Sequence, residues 1–170
     1  TLGGGTGNSI LNLLDSTITV PHGVQLLSNG TLVGGGIIAG PVDNDGEINV
    51  PPGQTLTIQG SVSGTGSYTG GGEKIFGADL ANGESTEVTN IDGDVILSAD
   101  GNVEVNFDND TADRFDVSGN LHINGGLKLK VGSSFIISAN QTFRIFDAAS
   151  ISNEFSTIDL SEAMLPDGFT

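Results

Sequence analysis

The side chains best suited to chemistry in this chain are carboxylates, and they come in clusters. Asp43, Asp45 and Glu47 stand in DNDGE, Asp92 and Asp94 in DGD, and Asp108, Asp110 and Asp113 in DNDTAD. Calcium takes six to eight oxygen ligands, and closely spaced carboxylates on a turn can supply several of them. None of the three stretches follows an EF-hand loop or a nonapeptide calcium roll. They read first as solvated corner residues. As a metal site, Asp43, Asp45, Asp108, Asp110 and Asp113 are the positions calcium would use, and no other cofactor is expected.

The remaining chemistry is thin. His22 and His122 are far apart in sequence and neither has metal-type neighbours. There is no cysteine, hence no Cys–His pair, disulfide or thiolate metal site. No Gly-x-Ser-x-Gly elbow occurs. The glycine runs LGGGTG and VGGG lack the Lys-Ser/Thr of a phosphate loop. A polysaccharide lyase needs a base and cations to hold uronates, and only Lys74, Arg114, Lys128, Lys130 and Arg144 are available. A glycoside hydrolase needs two carboxylates in set geometry, and no such pair stands out among the many acids. No catalytic constellation is therefore assigned.

Composition narrows the partners. Lys plus Arg total 5 and Asp plus Glu 21 in 170 residues, a net charge of −16. That field repels nucleic acid and anionic membrane surfaces. No run of about 18 apolar residues is present, so no membrane insertion is expected in this segment. The chain opens at Thr1 and reads as a processed or excised piece. Glycine is 27 of 170 residues and tryptophan is absent. The core must then come from Val, Ile and Leu.

The elements that would position these groups are short strands. Apolar residues alternate: Ile18 and Val20, Ile48 and Val50, Leu56 and Ile58, Val95 and Leu97, Val103, Val105 and Phe107, Phe115 and Val117, Leu121 and Ile123, and Leu127, Leu129 and Val131. Period two marks strands with one buried face. Gly, Asn, Asp or Pro interrupts them every few residues, as corners require. The best helix candidates, NSILNLLDS and LSEAMLP, are only partial.

A gapless repeat at 30 residues runs through residues 15–74. Asp15 falls on Asp45, Ile18 on Ile48, Val20 on Val50, Gly23 on Gly53 and Leu26 on Leu56. His22 falls on Pro52, a tolerant corner. Such periods point to stacked architectures. The expected fold is one all-β parallel β-solenoid over residues 1–170, with looser coils and a C-terminal cap over 75–170. Val20 should then lie beside Val50, and Leu26 beside Leu56, in neighbouring coils. An antiparallel sandwich also has short strands but gives no reason for the repeat.

SNGTLVGGGIIAG and VSGTGSYTGGG resemble the passenger repeats of autotransporter adhesins. DRFDVSGNLHINGGLKLKV, TFRIFDAASISNEFSTIDL and LPDGFT resemble the region that precedes PEP-type sorting tails or dockerins in large exported bacterial proteins. The resemblance implies a secreted or cell-surface β-helix. The expected function is a non-catalytic structural or adhesive segment: a stalk, a matrix component or a filament subunit. A glycan-binding or glycan-cleaving module is the alternative. The N-terminal TLGGGTGNS offers little to cap a stack and LSEAMLPDGFT, with Pro166, offers more, so the N-terminal end is expected either to be covered by further residues or to pair head-to-tail with a second copy. A glycan or another surface component is the other expected partner.

Overall fold

The computed structural model describes residues 1–83, 86–132 and 141–163. Along the chain the strands are β1 (Ser9–Asn12), β2 (Ser16–Thr19), β3 (Val24–Leu26), β4 (Gly30–Val33), β5 (Gly36–Ala39), β6 (Val42–Asn44) and β7 (Glu47–Asn49). They continue as β8 (Thr55–Ile58), β9 (Val62–Ser63), β10 (Ser67–Thr69), β11 (Glu73–Phe76), β12 (Val88–Ile91) and β13 (Val95–Leu97). The last are β14 (Asn102–Asp108), β15 (Thr111–Ala112), β16 (Arg114–Ile123), β17 (Gly126–Val131), β18 (Phe146–Ser152) and β19 (Thr157–Asp159). There is no helix among the described residues. In the partial helix candidate NSILNLLDS, Ser9–Asn12 forms β1 instead, and of LSEAMLP the last three residues, including Pro166, lie outside the described residues.

Strands fall in turn into three columns. The first holds β1, β4, β7, β10, β12 and the start of β16; the second holds β2, β5, β8, β11, β13 and the end of β16. Because the long strand β16 belongs to both, the two columns form one curled 12-stranded sheet, with β18 added along β16. The third column is made of β3, β6 and β9, then β14, β17 and β19, bridged through Leu80. Pairing between named strands is parallel except in the hairpin β14–β15, where Asp108 faces Thr111. The molecule is thus all-β and dominated by a curled parallel sheet, and the antiparallel sandwich is set aside.

The alternating residues stack as inward ladders. Leu11, Leu32, Ile48, Tyr68, Ile91 and Val117 lie side by side in the first column. Ile18, Ile38, Ile58, Phe76, Leu97 and Ile123 do so in the second. Val24, Val42, Val62, Leu80, Val103 and Leu127 complete the third. Nearly all of these are buried, and each full burial contributes about 1.5–3 kcal/mol. Corners need glycine where the next strand passes close. At Gly64, with φ +97°, a Cβ would stand 2.4 Å from the Asn44 carbonyl oxygen.

The register corrects the 30-residue stacking. Ile18 lies beside Ile38 and Ile38 beside Ile58, a step of 20. Leu26 pairs with Asn44 in the third column, whereas Leu56 sits between Gly36 and Lys74 in the second. Ile18 and Ile48 likewise belong to different columns. Thirty residues is one and a half steps. All three columns use the same grammar of alternating aliphatics and glycine corners, so a shift between columns matches as well as one within a column. The step also grows, from 16 residues between Leu32 and Ile48 to 31 between Val117 and Ala148.

Candidate functional site

The five acids singled out as metal ligands do not converge. Asp43, on β6, accepts hydrogen bonds from Gln25 Nε2 at 3.4 Å and Ser63 Oγ at 3.3 Å, its neighbours in the third column. Asp45 accepts from the Thr65 amide at 3.2 Å. Asp108 and Asp110 lie at the exposed tip of the β14–β15 hairpin, where Asp108 accepts from the Asn109 amide at 2.9 Å. Asp113 is fully buried at the hairpin's base. It accepts the amides of Glu87 at 2.8 Å and Asn106 at 2.7 Å, and Asn106 Nδ2 at 2.9 Å. Burial pushes its carboxyl above the ordinary aspartate value, and the bonds from Asn106 and Glu87 pull the other way. Among the described residues no group of three or more His, Asp or Glu side chains is placed to hold a metal ion.

Two other acids act as clamps between neighbouring strands. Asp79 Oδ1 accepts both the amide and Nδ2 of Asn102, each at 2.9 Å. Asp94 Oδ1 accepts the amide of Asn120 at 2.7 Å and its Nδ2 at 3.1 Å. In each case one carboxylate oxygen satisfies a backbone donor and fixes the side chain of the next strand over.

The cations are engaged as well. Arg114 pairs with Asp116 at 2.5 Å and Arg144 with Asp147 at 2.8 Å. Lys130 meets Glu104 at 2.7 Å, and Lys128 meets Glu162 at 2.5 Å and Glu104 at 3.6 Å. Lys74 is the exception in kind. It is only 1% exposed and points inward from β11, between Leu56 and Val95. Its ammonium donates to the backbone carbonyls of Gly70 at 2.9 Å, Gly72 at 3.0 Å and Asp92. Three donors meet three acceptors, with no carboxylate ion pair among the described residues. Burial pushes its pKa down to about 8, and the nearby Asp92 charge opposes that shift. The five basic residues named for a lyase therefore form no open basic patch.

His122 lies on the exposed outer face of the second column. Its Nδ1 is 2.7 Å from Ser152 Oγ, and its Nε2 is 3.0 Å from Asn153 Nδ2. A Ser–His pair can transfer a proton, but these two are register partners on a sheet surface. The same face carries Asp94, Asn120 and Ser150, linked in a row by hydrogen bonds. His22 borders a shallow groove with Pro41, Asp43 and Ser63.

Tyr68, the only tyrosine, is buried against Phe76 with ring centroids 5.7 Å apart. Burial drives its pKa up to about 12, against a hydrogen bond from Asn44. Among the described residues no Phe or Tyr side chain is exposed; Phe135 lies outside them.

Lys74 and Asp113, read in sequence as a cation and a calcium position, are both buried, and a signal for that burial existed in each case. Lys74 shares parity with Phe76, and Asp113 with Phe115 and Val117. Strict alternation would have turned both inward. No protein-family model, curated protein or solved structure matches this chain.

Proposed function

We propose that this chain is a non-catalytic structural segment, secreted or displayed on a cell surface, whose three columns are the faces of a parallel β-solenoid. The observation that supports it best is what the polar groups are used for. Lys74, Asp79 and Asp94 bind backbone groups, Lys128 and Lys130 pair with Glu104 and Glu162, and Arg114 and Arg144 pair with the nearby Asp116 and Asp147, which leaves few of these charges to hold a substrate. The in-register ladders fit a repetitive spacer. The extracellular location rests on the resemblance to exported bacterial proteins.

The rival is a glycan-binding or glycan-cleaving module. The outward row of Asp94, Asn120, Ser150 and the His122–Ser152 pair favours it, since amides, carboxylates and hydroxyls bind sugar hydroxyls. That no Phe or Tyr is exposed among the described residues counts against it. A glycan array combined with reducing-sugar release from plant and bacterial polysaccharides separates the two. The structural reading expects neither binding nor release. Binding abolished by Asn120→Ala together with His122→Ala would overturn it in favour of the rival.

A further inference from the structure

We infer that the backbone carbonyls of Gly70, Gly72 and Asp92 form a site for a singly charged cation, that the Lys74 ammonium fills it, and that the site takes a small monovalent cation from solution once the ammonium is removed. The site lies in the middle of the stack, and its presence does not depend on the functional reading above.

The corners between the first and second columns create it. From β7 to β8 the corner covers residues 50–54, and its carbonyls find amides: Gln54 N–H donates to the Pro51 carbonyl at 3.1 Å and Gly72 N–H to that of Val50 at 2.9 Å. The next two corners, 70–72 and 92–94, have three residues each against five. A turn like Pro51–Gln54 has no room in them. Glycine also lets their backbones press together. A Cβ on Gly70 would stand 2.2 Å from the Val50 carbonyl oxygen, and one on Gly93 2.4 Å from that of Gly72. Three carbonyl oxygens therefore converge on one buried point, where each needs a donor and each repels the others.

Lys74 answers all three. Its ammonium has three donors and no acceptor. It reaches Gly70 O at 2.9 Å and Gly72 O at 3.0 Å in its own corner, and Asp92 O in the next. Its register partners in the adjoining passes are Leu56 and Val95, both buried. The charge thus stands in an otherwise apolar row, at the level where the carbonyls meet. The ligand class follows from the oxygens. All three are neutral, whereas calcium takes six to eight oxygens and draws on carboxylates. Three carbonyls suit a singly charged ion such as ammonium or potassium.

Lys74→Ala tests this, because it removes the ammonium and leaves room for a free ion. Access is no obstacle: the ion enters as the chain folds and stabilises the folded state by mass action. Thermal melts are followed by circular dichroism at constant ionic strength, with choline chloride, whose cation is too large for the site, as the balancing salt. Lys74→Ala should gain about 3 °C or more, saturably, as potassium, ammonium or propylammonium chloride replaces choline. The wild type fills the site itself and should shift by less than about 1 °C, as should Lys74→Met, which fills the space without a charge. Equal melting of Lys74→Ala in all four salts overturns the inference. So do equal shifts in all three proteins, which would place the ions on the surface. A Lys74→Ala chain that stays unfolded in every salt also overturns it, since no free cation then replaces the tethered one.

Discussion

Replacing Lys74 by methionine should remove a rise in stability with pH. In the folded chain the ammonium titrates near pH 8, against 10.5 for a free lysine. Below pH 8 both states hold the proton and the burial penalty is constant. Between pH 8 and 10.5 the folded chain gives up the proton first, so the unfolded state binds more protons and stability increases with pH. At about 1.4 kcal/mol per tenfold, the full gain is about 3 kcal/mol, of which about 2.5 kcal/mol is reached by pH 10. Tyr68, pushed up to about 12, acts the opposite way only once free tyrosine begins to ionise near pH 10. Lys128 and Lys130, held above the usual lysine value by hydrogen bonds with Glu162 and Glu104, lose their contributions higher still. The clean window is pH 8 to 10. Urea unfolding followed by circular dichroism, at half-unit steps, gives the slope. Growing acidic repulsion affects both proteins alike, so the reading is the wild-type slope minus that of Lys74→Met. Parallel slopes, or a wild type that loses stability across the window relative to the variant, would refute the reasoning.

Two further outcomes follow from the register. Ile48→Asp should unfold the protein more readily than Leu56→Asp, by at least about 1 kcal/mol in urea titrations. Ile48 is flanked by Leu32 and Tyr68, whereas Leu56 lies beside the Lys74 ammonium's own strand position, and an unpaired buried charge costs several kcal/mol. The reverse order would contradict the pairing. Chelator should leave the melting temperature unchanged within about 1 °C, because the carboxylates of Asp43, Asp45 and Asp113 are held by amides and hydroxyls. A drop of several degrees would reinstate calcium, first at Asp108 and Asp110.

Strand content and inward residues were legible because alternation is a local signal. Val103 and Val105, or Leu121 and Ile123, can be assigned inward without knowing any partner. The stacking step was not legible. It depends on which of three columns a strand joins, and the pairs Ile18/Ile48 and Leu26/Leu56 match in residue type while differing in column. Asp94 was misread for a related reason. An aspartate at a corner looks solvated in sequence, but Asp94 answers the Asn120 amide more than 20 residues away, and only the step brings that donor into reach. Lys74 was counted only among the cations available to a lyase, although its parity with Phe76 is that of the core.

The lengthening step has a mechanical side. A pull along the direction in which the strands stack loads one pass at a time, and only a few residue pairs per column resist it. Freeing a pass of 20 residues between Ile38 and Ile58 yields about 70 Å of extended chain in place of a spacing of about 5 Å. The last pass, 31 residues from Val117 to Ala148, yields about 100 Å. A strand stack built this way lengthens more than tenfold wherever it gives. Its compliance is graded along its length, with the most slack stored towards β18 and the tightest, shortest loops between β4 and β7.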